Sequence, residues 1–122
     1  MYSVLTDSSR QMGDAAETVG ESTGASLASL DKLLEHRSRL AACVLLSNAD
    51  RLSFSRLKEL LKETDGNLGA HLRKLEDAAY VTLEKKFENR RPVSWYALSK
   101  QGRKALKIHL AALEVLIKQS SV

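Results

Sequence analysis

The 122-residue sequence predicts a mainly α-helical chain with one small β-hairpin, an α+β fold. Three observations carry this expectation. Apolar residues recur at three- and four-residue spacing from Leu27 to Leu75 and again from Leu106 to Ile117, the spacing that lines one side of a helix. Over "VTLEKKFENRRPVSWYALS" the period drops to two, as a half-buried strand requires. Asn89 and the single proline, Pro92, fall in the middle of that stretch and supply turn chemistry.

Each element follows from its own residues. Residues 1–25 are rich in Ser, Thr, Gly, Asp and Glu, which predicts a flexible acidic arm or a loosely held helix and no separate domain. Residues 26–122 then form one domain. Leu27, Leu30, Leu33 and Leu34 predict a first helix over 27–35. Leu40, Val44 and Leu45, after Ser38 as N-cap, predict a second over 38–47, closed by "SNAD". Leu57, Leu60 and Leu61 predict a third over 54–63, with Ser53 or Ser55 as cap. The turn "ETDGN" leads into a fourth, 66–78, with Leu68, Leu72 and Leu75 inward. Val81, Leu83 and Phe87 mark the outgoing strand, and Tyr96 and Leu98 the returning one. Ser99 caps a last helix, about 99–118, whose Leu106, Leu110, Leu113 and Ile117 share a side. Two short helices joined by a tight turn and followed at once by a basic hairpin make a winged helix-turn-helix.

Composition narrows the function. Hydrophobic residues make up 43% of the chain, enough for a packed core. A lone cysteine, Cys43, excludes a disulfide scaffold and suits a buried thiol in a reducing setting. No apolar run approaches the roughly 20 residues that cross a bilayer, and the first residues lack the pattern of a signal peptide. A soluble cytoplasmic protein with no membrane partner is expected. The net charge of +4 conceals an asymmetry: residues 1–35 carry two basic and six acidic side chains, residues 36–122 seventeen and nine. The second part, at +8, suits a polyanionic partner.

The basic residues fall where a nucleic acid would meet the fold. On helix 66–78, Asn67, Ala70, Arg73 and Lys74 lie opposite or beside the leucines. His71, at the edge of the apolar arc, is read as packing beside the core, with reach to a base or phosphate as the alternative. Small residues there allow close approach, and free N–H groups at a helix start attract phosphate. Ser55 and Arg56 open helix 54–63 in the same manner. Lys85, Lys86, Arg90 and Arg91 form a second basic cluster on the hairpin, with the wing proper at about 85–95. Trp95 is read as a packing residue. Leu27, Leu30, Leu106, Leu110, Leu113 and Ile117 offer more apolar surface than one small domain needs, which predicts N- and C-terminal dimerisation helices.

The stretches "SRLAACVLLS", "DGNLGAHLRKLEDAAYV", "KKFENRRP" and "YALSKQGRKAL", in that order, resemble the small stand-alone winged-helix regulators of the MarR/ArsR-like group. The resemblance covers about residues 37–113. It implies a homodimeric, sequence-specific DNA-binding regulator of transcription that binds double-stranded DNA, with a palindromic operator. Helix 66–78 would enter the major groove, the wing would touch the flanking backbone or minor groove, and the terminal helices would dimerise. One departure is Ala79, where the family usually has glycine; if that position takes a positive φ, alanine carries strain.

The alternative is a winged helix that docks a protein rather than DNA, regulated by the acidic arm. An enzyme is not expected: there is no Ser/His/Asp or Cys/His arrangement, no phosphate-cradling loop and no paired carboxylates. The dispersed His36, His71 and His109, with one cysteine, offer no metal-ligand spacing. No cofactor is expected, and no effector is specified.

Overall fold

The computed structural model describes residues 2–122, with side chains from Asp14 onward. The elements run α1 (Tyr2–Ser29), a 3₁₀ turn (Lys32–Glu35), α2 (Arg37–Ser47), β1 (Leu52–Ser53), α3 (Phe54–Leu61), α4 (Asp65–Asp77), β2 (Val81–Glu88), β3 (Arg91–Leu98) and α5 (Lys100–Gln119). They form two compact units, one of Asp31–His109 and one of the chain up to Leu30 together with Leu110–Val122.

The Asp31–His109 unit is built on leucines. Leu34, Leu46, Leu57, Leu68, Leu72 and Leu75 are fully buried, and each such side chain contributes about 1.5–3 kcal/mol by leaving water. Cys43 lies among them, and burial, helped by the negative charge of Asp31, pushes its thiol up to about 11. A thiol held protonated in this way is a packing group, not a nucleophile. The sheet is antiparallel in the order β1-β3-β2. The hairpin register runs from Val81↔Leu98 to Glu88↔Arg91, which leaves Asn89 and Arg90 as a two-residue turn. Both have positive φ, 49° and 63°, the signature of a type I′ turn.

Several expectations are corrected here. The leucine stripe from Leu27 does not continue as one helix over 27–35: α1 ends at Ser29 and a 3₁₀ turn follows. Asp31 breaks it. Its Oδ1 accepts from the Leu33 N–H at 2.9 Å, its Oδ2 accepts from the Tyr80 hydroxyl, and its own N–H donates to His109 Nδ1 at 2.9 Å. His36, not Ser38, caps α2: its Nδ1 accepts from the Ser38 N–H at 3.2 Å, while the Ser38 hydroxyl donates to Glu63. Ser53 caps α3, accepting from the Arg56 N–H at 3.1 Å. The hairpin has a third partner in β1, whose Leu52 and Ser53 pair with Tyr96 and Trp95. Pro92 is not a turn residue; it stands in β3 opposite Phe87, beyond the reach of β1, where a missing N–H costs no ladder bond.

One knot of bonds fixes the wing to both neighbouring helices. The Tyr80 N–H donates to the Leu75 carbonyl and the Ala79 N–H to the Glu76 carbonyl, both at 2.9 Å, a Schellman closure of α4. It requires Ala79 at φ 63°. Ser99 then donates its N–H to the Tyr80 carbonyl at 2.9 Å and its hydroxyl to the Ala79 carbonyl at 2.6 Å, and accepts the Gly102 N–H at 2.9 Å as the cap of α5.

In the second unit, residues 2–25 are helical throughout, since α1 runs past them to Ser29. The hydroxyls of Thr18 and Ser29 donate to the carbonyls of Asp14 and Ala25 one turn back, so side chains that would compete for the backbone are satisfied within the helix. Gln119 Nε2 donates to Ser22 Oγ at 3.2 Å, tying the end of α5 to α1.

Candidate nucleic-acid interface

The outward side of α4 is small and basic. With Leu68, Leu72 and Leu75 buried, Asn67, Ala70, Arg73 and Lys74 are exposed, with Asp77 beside them. A Cβ added at Gly66 or Gly69 would meet nothing within 4 Å, so this side of the helix is low as well as open. The start of α4 differs from expectation. Thr64 Oγ1 accepts the Asn67 N–H at 3.2 Å, so that donor is not free. Asp65 also stands there, paired to Lys58 at 2.9 Å. A carboxylate in the first turn already answers the positive end of the helix, leaving side chains rather than the helix terminus to meet a phosphate.

His71 leaves this surface. Half-buried, it lies 4.1 Å from the His36 ring, centroid to centroid, and its Nδ1 is 3.2 Å from Arg39 Nη1. Arginine can only donate, so Nδ1 is the acceptor and the ring is neutral with its proton on Nε2. Burial, then the positive charges of His36 and Arg39, hold its pKa below the ordinary value of 6.5. The residue joins α4 to α2.

On the wing, the pleat separates residues that the sequence grouped. Successive strand side chains point to opposite faces. Lys85 faces α4 and shares a cleft of about 440 Å³ with Arg73, Glu76, Ser94 and Tyr96. Lys86 is on the other face, 3.5 Å from Glu84. Arg90 and Arg91 are exposed at the tip. Phe87, read as inward-facing from its alternation with Val81 and Leu83, is 74% exposed because the core ends before it. Trp95 is half-buried, outside the core: Arg51 stacks on its ring at 4.1 Å and its Nε1–H donates to Glu88 at 3.2 Å.

Ser55 and Arg56 are exposed at the start of α3, with Arg56 paired to Glu59 at 3.1 Å. A second hollow, about 460 Å³, lies between Ser53 and Ser55 there and Arg91, Ser94 and Trp95 of β3. Ser94 and Tyr96 were missed in the sequence because β3 reads there as an ordinary alternating strand. The register against Lys85 and Leu83 was the signal available.

The apolar residues expected at a dimer contact divide. Leu106 is 4% exposed and belongs to the core of the Asp31–His109 unit, so it has no surface to offer. In the other unit Leu27, Leu110 and Ile117 are exposed, and Leu30 and Leu113 half-buried.

Comparison with known proteins identifies the family and the fold. Residues 38–117 match the family model described as a winged helix DNA-binding domain. An uncharacterised protein of Methanocaldococcus jannaschii is 33% identical over 79 residues, 65% of this chain and 86% of that one. Among solved structures, a transcriptional regulator homologue from Pyrococcus horikoshii superposes with a TM-score of 0.71 at 22% identity, over 89% of this chain and 99% of that one. A MarR family transcriptional regulator from Streptomyces coelicolor, solved in complex with DNA, gives 0.61 at 18% identity, over 90% and 69%. At these identities the two structural likenesses are likenesses of fold.

Proposed function

Because the chain belongs to the winged helix DNA-binding domain family, we propose that it is a sequence-specific transcriptional regulator that binds double-stranded DNA as a homodimer. In this reading α4 enters the major groove with Asn67, Ala70, Arg73 and Lys74. The wing, through Lys85, Arg90 and Arg91, follows the flanking backbone or minor groove. The observation that carries the reading is the shared cleft: Arg73 of α4 and Lys85 of β2 line one hollow. The outward side of the helix and the inner face of the wing are therefore continuous, and basic residues stand at both ends of that surface. Ser55 and Arg56 extend it at the start of α3, while Lys86, on the other face, belongs to its margin.

The homodimer draws on Leu27, Leu110 and Ile117, exposed apolar residues of one unit. A two-fold pair would present two recognition helices, and the matching operator is an inverted repeat with half-sites about one helical turn apart. Selection of bound duplexes from random DNA, with a sizing measurement on the same sample, tests both. An inverted repeat bound by a dimer is the expected result; selection of no sequence by folded protein would reject the reading. Replacing Arg90 and Arg91 by alanine should lower the slope of log affinity against log salt by about four per bound dimer, two from each protomer's wing.

A protein-docking reading has one observation in its favour. Leu40, Val44, Leu45, Leu60 and Leu61 line an apolar groove of about 500 Å³ between α2 and α3, with Arg37 at its rim. Folded protein that binds no DNA but is captured through this groove would favour it.

A further inference from the structure

Phe87 is the most exposed aromatic side chain of the wing. It is 74% exposed, although it continues the row of Val81, Leu83 and Lys85 on the inner face of β2. Val81 and Leu83 pack in the core, and Lys85 opens into the cleft beside Arg73. Phe87 is the next residue outward, and Arg90 follows at the turn. Directly across the ladder stands Pro92, also exposed. Opposed side chains on one face of an antiparallel pair lie about 5 Å apart at Cβ, so the ring and the pyrrolidine form one apolar step between two basic positions.

The tip is built in a manner that favours this step. A two-residue type I′ turn prefers Asn-Gly, and here it carries Asn89-Arg90. The short turn holds Arg90 within two residues of the apolar pair and leaves the tip no loop in which the ring could fold back. An exposed aromatic flanked by Lys85 and Arg90 fits a surface that is anionic and apolar in alternation. The sugar edge of a DNA strand is such a surface: phosphates are separated by deoxyribose, and the minor-groove wall between them is apolar. Apolar side chains of this kind are used against minor grooves.

We infer that Phe87, backed by Pro92, packs against deoxyribose at the minor-groove edge beside the wing and supplies a salt-independent share of DNA affinity. The inference rests on the DNA-binding reading above, and it assigns a contact that charge alone does not require. The basic residues give affinity that falls with salt because each neutralised phosphate releases counterions. An apolar contact releases none. It contributes the same factor at every salt concentration, and so it separates from the arginines by the slope rather than by the size of its effect.

The test uses the full chain and a labelled duplex of about 30 bp selected by the wild-type protein, long enough for two half-sites and their flanks. Affinity is measured by fluorescence anisotropy across a salt series. Phe87→Ala is expected to weaken binding about tenfold at every salt concentration, with an unchanged slope and an unchanged melting temperature. Phe87→Leu should recover most of the loss. The paired arginine variant should change the slope instead. Binding by Phe87→Ala within about twofold of wild type would overturn the inference, since a factor of two is far below the contribution of a buried aromatic ring. So would a lost affinity accompanied by a reduced slope, which would mean that the wing had moved. If wild-type protein itself binds no duplex, the DNA-binding reading fails, and that outcome is distinct from failure at Phe87.

Discussion

The carbonyl oxygen of Tyr80 stands 2.0 Å from where a Cβ would be at Gly102. The first turn of α5 therefore rests directly on the backbone at the root of the wing. A methyl group there would meet main-chain atoms of Tyr80 and the side chain of Leu98 at 2.9 Å. Main chain held by the Ser99 bond cannot yield cheaply. Gly102→Ala should cost about 3 kcal/mol, the upper part of the range for overpacking, read as a lower urea midpoint.

Ala79 predicts the opposite sign. It adopts φ 63° to close α4, a conformation that costs a residue with a Cβ about 1 kcal/mol or more. Glycine removes that cost and gives part of it back as unfolded-state entropy. Ala79→Gly should raise stability by about 0.5–1 kcal/mol at an unchanged denaturant m-value.

Arg90 separates stability from function. At φ 63° it fills the turn position where glycine is preferred. Arg90→Gly should raise the melting temperature and lower DNA affinity, with a salt slope reduced by about two per bound dimer, one from each protomer. A variant that gained stability and kept full affinity and slope would remove Arg90 from the interface.

His71 makes stability depend on pH. It is surrounded by His36 and Arg39 from the α2 side, Lys74 on its own helix, and Glu63 before that helix, and its pKa lies below 6.5. The unfolded chain takes up its proton near the ordinary value, while the folded chain resists. The contribution is therefore complete above about pH 6.5 and is lost as pH falls through the lower, folded value. Glu63, lowered first by the Ser38 hydroxyl, acts in the same direction further into acid. Denaturant unfolding at a series of pH values should show a decline below about pH 6.5. His71→Gln, which keeps an acceptor for Arg39, should make that decline shallower.

The sequence showed most plainly what local periodicity controls. The leucines of α3 and α4, the alternation of β2 and β3, and the Ser99 cap all lie within windows of a few residues. The break at Asp31 did not show, because its partners Tyr80 and His109 are 49 and 78 residues away in the chain. Strand β1 has only two residues and therefore no period to read. Helix α1 was obscured by serines, threonines and glycines whose propensities favour turns. At the candidate interface, the basic residues of α4 and the wing tip were identifiable by type. Their grouping was less so: Lys85 and Lys86 are neighbours in sequence but lie on opposite faces, and Phe87 has the pattern of a core residue at a point where the core has ended.

The bond from the Asp31 N–H to His109 Nδ1 joins the first and last residues of the Asp31–His109 unit. The chain thus enters and leaves that unit at a single point, as a cassette does when it is inserted into a host. Its termini are already together, so a short peptide could close them into a ring. A unit of this kind can be circularly permuted at an exposed turn, or grafted whole into another protein, without first bringing distant ends together.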